Sequence, residues 1–193
     1  MYTTLNRLNA ISGLATSCII TLISLIAISS FLIPHNFTPG NLSVTSVSVQ
    51  QGRGPRTSPH AYSRKSTYAS ITYDLSADLT PLWDWNTKQV FVYLYADYSS
   101  PSTSSSTTTS NGNGKGKKDR VVIWDRIVRR KRDGRIRISG GKNKYGLKDP
   151  SDRFERNTTA VFKLGYDVMP YTGLLQSGTA AESVEVVFPS SRS

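Results

Sequence analysis

Side chains able to carry out a reaction are scarce in this chain of 193 residues. A Ser-His-Asp hydrolase needs a histidine placed to take the serine proton. Only two are present: His35, beside the end of a long apolar run, and His60, in a basic, proline-containing stretch. A Ser-Lys enzyme commonly carries Ser-x-x-Lys on a helical turn, so that both side chains share a face. The match here is Ser139-Gly140-Gly141-Lys142, whose central glycines disfavour that helix. Zinc sites require clusters of Cys and His, and Cys18 is the sole cysteine. The acidic residues lack calcium-loop spacing. Gly112-Asn113-Gly114-Lys115-Gly116 has neither the Gly-x-Gly-x-x-Gly spacing nor the Gly-Lys-Ser/Thr ending of a phosphate-cradling loop. The expectation is a non-catalytic chain with no catalytic residue, no metal and no cofactor.

The element that positions everything else is the run Leu8–Ile33, which carries no charge and exceeds the roughly 20 residues that cross a hydrocarbon core as a helix. Its Ser and Thr hydroxyls can satisfy helix carbonyls within the segment, so they are tolerated in lipid. Pro34 should close it. A cleaved signal has an apolar region of only about 7 to 15 residues followed by small residues, whereas this run is longer and ends in Phe31-Leu32-Ile33-Pro34. It reads as a signal anchor. Arg7 and the amino terminus flank one side, and no Lys or Arg follows until Arg53, which favours a cytoplasmic tail over residues 1–7 and translocation of residues 34–193.

Those residues suffice for about one domain. Cys18 lies inside the anchor, so hydrophobic burial, not a disulfide, must hold that domain together. Leu42–Val49 and Tyr68–Leu79 alternate apolar and polar positions as strands with one wet face do, and Pro81 follows the second. Val90–Tyr98 is β-branched and aromatic almost throughout, which suits a central strand covered on both faces. Val121–Val128, Thr158–Met169 and Ser183–Phe188 read as further strands. Asp133-Gly134 is a two-residue hairpin signal returning into Arg135–Ile138. Residues 50–66 and 99–118 are expected to be flexible, the latter a Ser/Thr/Gly/Asn/Lys insertion with too little apolar surface to order it. Gly140–Arg156 is turn-rich. With no amphipathic helix among these strands, the class is an all-β sandwich-like domain on one N-terminal transmembrane helix. Trp83, Trp85, Trp124, Phe91 and Tyr93 should include its core anchors.

The formal net charge of +11 favours an acidic partner or an anionic surface. In a hairpin at Asp133-Gly134, Arg132 would face Arg135 and Arg130 would face Arg137, a costly pairing unless the ribbon is solvated or meets an anionic surface. Arg129-Arg130-Lys131-Arg132 is also the kind of run read as nucleic-acid binding or nuclear targeting, a use that membrane anchoring disfavours.

Asp74–Gln89, with Trp85-Asn86-Thr87-Lys88-Gln89 its most specific part, leads into Phe91–Tyr98 and resembles signal peptidase complex subunit 3 of the endoplasmic reticulum. Val122–Val128, Lys144–Asp149, Asn157-Thr158-Thr159 and Pro170-Tyr171-Thr172-Gly173 follow in that family's order. The resemblance covers anchor and domain alike, and departs from the pattern at Ser99–Lys118 and in the basic Arg129–Arg137 segment. It implies a single-pass type II protein of the endoplasmic reticulum membrane with a luminal β domain. Its role would be that of an accessory subunit supporting and positioning the catalytic signal peptidase subunit, alongside other small membrane subunits, for removal of signal peptides. The catalytic Ser, His and Asp then belong to another chain, and the lipid bilayer is a partner while nucleic acid is not. The alternative is a membrane-anchored basic module binding acidic lipids or nucleic acid. Of three Asn-x-Ser/Thr sequons, Asn36 and Asn41 lie close to the membrane, whereas Asn157 matches the family's glycosylated position and is the preferred acceptor.

Overall fold

The computed structural model describes residues 3–33, 38–53, 65–99, 119–148 and 158–189. Helix α1, Thr4–Leu32, has 29 residues and is therefore about 43 Å long. It is long and apolar enough to cross a membrane. The hydroxyls of Ser12, Thr16, Thr21, Ser24 and Ser29 each donate to a carbonyl three or four residues earlier, at 2.8–3.0 Å, which is how an apolar helix accommodates them. The helix begins one turn before the apolar run, so Arg7 lies on it. It ends at Leu32, with Ile33 already extended.

Nine strands follow among the described residues: β1 Asn41–Arg53, β2 Lys65–Asp78, β3 Thr87–Ser99, β4 Asp119–Val128, β5 Arg135–Lys142, β6 Leu147–Lys148, β7 Thr159–Pro170, β8 Gln176–Glu182 and β9 Val186–Val187. All pairings are antiparallel. One sheet has the order β1-β2-β5, with β6 also on β2; the other has the order β4-β3-β7-β8, with β9 also on β7. Their inner faces share one core, in which Ile71, Tyr73 and Leu75 of β2 meet Val92 and Leu94 of β3 and Phe162 and Leu164 of β7. Each such Leu or Ile contributes about 1.5–3 kcal/mol on burial. Burial also pushes the Tyr73 hydroxyl up to about 12, so it stays neutral. The all-β sandwich on one apolar helix is the observed architecture.

Several local expectations are corrected. Asp133-Gly134 makes no hairpin: β4 and β5 lie in different sheets, joined across the sandwich end by a 3-10 turn at Lys131–Gly134. The residues before it are Arg129–Arg132, with nothing apolar for a paired strand to bury. Gly134 instead accepts the Leu79 N–H through its carbonyl at 2.9 Å, and Arg135 and Arg137 face Asp78 and Ser76 of β2. The like-charge pairs therefore do not form.

Strand β8 went unread because Gln176–Glu182 holds no β-branched residue except Thr179 and no aromatic. Its Ala180 and Ala181 are nevertheless buried, and Ser183–Phe188 yields only the two residues of β9. Within the turn-rich stretch, β5 continues to Lys142 and β6 adds Leu147–Lys148. Strands also enter the stretch expected to be flexible, to Arg53 and from Lys65; residues 54–64 and 100–118 lie outside those described.

The aromatic anchors are different ones. Tyr73, Tyr98, Phe162 and Phe188 are buried, Trp83 and Trp124 pack against the core only in part, and Trp85 is exposed. Strand β3 is central, but only one of its faces lies in the core. Its other face carries a ladder of Phe91, Tyr93 and Tyr95, with ring centroids 5.4 and 5.7 Å apart. Arg120 lies 4.3 Å over the Tyr95 ring and pairs with Asp97 at 2.8 Å.

Candidate functional site

The densest polar constellation lies where α1 meets the sandwich. After β2, Leu79 and a 3-10 turn at Thr80–Leu82 cross between the sheets, and Trp83–Asn86 then enters β3. Asp84 organises this entry: its Oδ1 accepts the Asn86 N–H at 2.9 Å and the Thr87 hydroxyl at 2.7 Å, an Asx-type turn. Buried Asn86 reaches across 86 positions in sequence. Its Nδ2 donates to the Thr172 carbonyl at 2.7 Å, its Oδ1 accepts the Thr172 N–H at 3.3 Å, and its own carbonyl accepts the Tyr171 N–H at 2.8 Å. Two motifs that the sequence holds far apart, Trp85–Gln89 and Pro170–Gly173, thus form one clamp.

Helix α1 seats on that clamp. Ser30, the buried residue of the helix, donates to Asp84 Oδ2 at 3.4 Å. Ile26 and Ala27, one turn earlier on the same stripe, are half-buried, as is Ile33 just past the helix end. Gly173 has a φ of +122°, and a side chain there would begin 3.4 Å from the Ala27 backbone. The turn favours glycine for its left-handed conformation, and the helix backbone passes within van der Waals reach of it. A small cavity of about 10 Å³ remains between Ser30, Asp84, Thr87, Val168, Pro170 and Leu174, too small to take a ligand. The arrangement joins helix and domain at two points, Ser30 with Asp84 and Ala27 with Gly173.

A second Asp-centred device lies on the outer face of the β1-β2-β5 sheet. Asp74 of β2 stands between a bulge at Thr45 of β1 and another at Ser139–Gly140 of β5. It accepts the Gly140 N–H at 2.7 Å and the Thr45 hydroxyl at 2.8 Å. Those bonds, with one from Ser139, hold its carboxyl below the usual aspartate range. Gly140 has a φ of +63°, the left-handed conformation that such a bulge uses. Ser139 and Lys142 therefore sit on a bulged strand rather than a helical turn. A shallow groove of about 390 Å³ beside it is lined by Asn41, Ser43, Ser76 and Arg137.

Asn41 opens β1, exposed and opposite Ser76. Asn36, Asn157, His35 and His60 lie outside the described residues. Among the described residues no three His, Cys, Asp or Glu side chains gather as a metal site. Sequence reasoning missed the Asn86 clamp as a site because Trp85–Gln89 carried a resemblance but no role; the Asp84-x-Asn86 spacing of an Asx turn was the available signal.

With this geometry in place, the family described as signal peptidase subunit matches residues 1–191. Signal peptidase complex subunit 3 of Saccharomyces cerevisiae is 33% identical over 185 residues, covering 92% of this chain and 91% of the relative. The Gallus gallus protein of that name is 32% identical, covering 76% of this chain and 70% of its own length. The Homo sapiens protein is 31% identical, covering 73% and 67%.

Proposed function

The chain belongs to the signal peptidase subunit family, and on that premise we propose that it is a non-catalytic accessory subunit of the endoplasmic reticulum signal peptidase complex. In this role it supports and positions the catalytic subunit for removal of signal peptides. The observation that supports the positioning role is the junction of Ser30 with Asp84 and of Ala27 with Gly173, where the β domain meets the apolar helix. A subunit that places another relative to the bilayer needs such a joint.

The partners in this proposal are the catalytic subunit and the other small membrane subunits, with α1 held in the lipid bilayer. The topology is single-pass type II: residues 1–7 are cytosolic and the sandwich is luminal. Depletion of the protein should leave secretory precursors with their signal peptides attached. Complementation with the wild-type chain, or with Ser139→Ala, Lys142→Ala, His35→Ala or His60→Ala, should restore cleavage. Loss of turnover in any of the four with assembly intact would overturn the non-catalytic role. The assembly should also survive detergent extraction at moderate salt. A charge-driven tether to acidic lipid or nucleic acid would dissociate steeply as ionic strength rises.

A further inference from the structure

We propose that the end of the sandwich against α1 is seated in the bilayer, with the β7–β8 turn and Trp85 inserted at the boundary between headgroups and acyl chains of the leaflet into which α1 emerges. The level of the turn follows from the helix. Counting the roughly 20 residues that span a hydrocarbon core from Leu8, the first residue past Arg7, ends at Ala27. This is the earliest placement; every other one carries Ala27 deeper. Gly173 packs against the backbone of Ala27, about 7 Å short of the helix end at 1.5 Å per residue. The turn therefore lies beside the apolar helix, not above it.

The composition of this end fits that level. Tyr171, Leu174 and Leu175 of the turn are 71, 73 and 56% exposed, and Trp85 beside them is 61% exposed. Neither Leu174 nor Leu175 has reason to face water, whereas Trp and Tyr favour the membrane interface. Charge agrees as well. The connection from β4 to β5 crosses the same end of the sandwich, joined to the β2–β3 connection by the bond between Leu79 and Gly134. It presents Arg129, Arg130 and Lys131, all exposed and without an ion pair among the described residues, at the side where lipid phosphates would lie. The occupant is the bilayer that α1 crosses, because the apolar surface of the turn continues that of the helix.

The test uses the full-length chain in phosphatidylcholine vesicles. In a Cys18→Ala background, an environment-sensitive fluorophore at Leu174→Cys is compared with one at Val184→Cys, which is exposed near the opposite end. Lipids spin-labelled high on the acyl chain should quench the first label several-fold more than the second, and an aqueous quencher should show the reverse order. Equal aqueous quenching of both labels would overturn the proposal. As a check that leaves the turn intact, brominated lipid should quench a component of the native tryptophan emission that Trp85→Phe removes; identical quenching in the two chains would also overturn it. Loss of lipid quenching when the copurifying subunits are reconstituted alongside would assign this face to a protein contact and end the proposal.

Discussion

Asn86 and Ser183 do the same job at opposite ends of the sandwich, each tying a connection back onto β7, with different numbers of bonds. Asn86 holds both backbone groups of Thr172 through its side chain and the Tyr171 N–H through its carbonyl. Ser183 accepts the Phe162 N–H through its hydroxyl at 3.0 Å and exchanges one backbone bond with the same residue. The end near α1 is closed by short crossings, at Thr80–Leu82 and Lys131–Gly134, and by the Pro170–Leu175 turn. At the far end the described strands stop at Arg53, Ser99 and Lys148 and resume at Lys65, Asp119 and Thr159. Among the described residues a helix meets the first end, through Ser30 and Ala27, and none meets the second.

The largest loss is therefore expected at the near end. Asn86→Ala leaves two backbone groups of Thr172 without side-chain partners and should lower stability by about 2–4 kcal/mol, since each unsatisfied buried group costs about 1–3 kcal/mol. Chemical unfolding of the full-length chain in detergent measures it. At the far end Ser183→Ala takes the acceptor from the buried Phe162 N–H and the donor from the carbonyl of exposed Val184, which water can replace, and should cost about 1–2 kcal/mol. An equal or larger loss from Ser183→Ala would break the comparison.

Acid should act by a third route. Asp78, at the near end, is held below its ordinary value of 3.8 first by the Thr80 hydroxyl and then by the Thr80 N–H and Arg135; Asp74 is held low by Gly140 and Thr45. For a carboxyl depressed by folding, the unfolded chain binds more protons, so the contribution is present above the unfolded value and lost as pH falls through the folded one. Unfolding midpoints should therefore drop as pH falls below about 3.8. Asp78→Asn should flatten that part of the curve, with only a modest effect at neutral pH because both groups are exposed. A wild-type profile unchanged by the substitution would remove Asp78 from the account.

How much of this was legible in the sequence depended on which physical signal each residue carried. The anchor and strands β1, β2, β3, β4 and β7 announce themselves by period and by β-branched content. Strand β8 is recruited by pairing with β7 rather than by its own propensity, so Gln176–Glu182 carried no signal. Asp133-Gly134 carried a strong local signal that tertiary structure overrode, because the basic residues before it offer a hairpin nothing to bury. Within the junction, the sequence showed that Trp85–Gln89 and Pro170–Gly173 were distinctive. That they meet is a fact of β3 pairing with β7, which places Thr87 opposite Pro170, and no spacing within either motif encodes it.

The smallest effect on stability, and the sharpest on topology, is expected from Asn157→Gln. Asn157 itself is not among the described residues, but Thr158 next to it is buried at the far end, where its carbonyl accepts the Phe188 N–H at 2.9 Å. From there β7 runs 12 residues, about 40 Å of strand, to the turn that touches α1. Asn157 precedes the far end of β7 in the sequence, whereas Asn36 follows α1 by a few residues and Asn41 opens β1. If the sandwich is luminal, Asn157→Gln should abolish an endoglycosidase-sensitive mass shift, Asn36→Gln and Asn41→Gln should leave it in place, and the unfolding free energy should change by no more than about 0.5 kcal/mol. Protease added to intact microsomes should remove an N-terminal tag and spare the sandwich. Digestion of the sandwich with the tag preserved would reverse the orientation, and with it the assignment of the far end to the lumen.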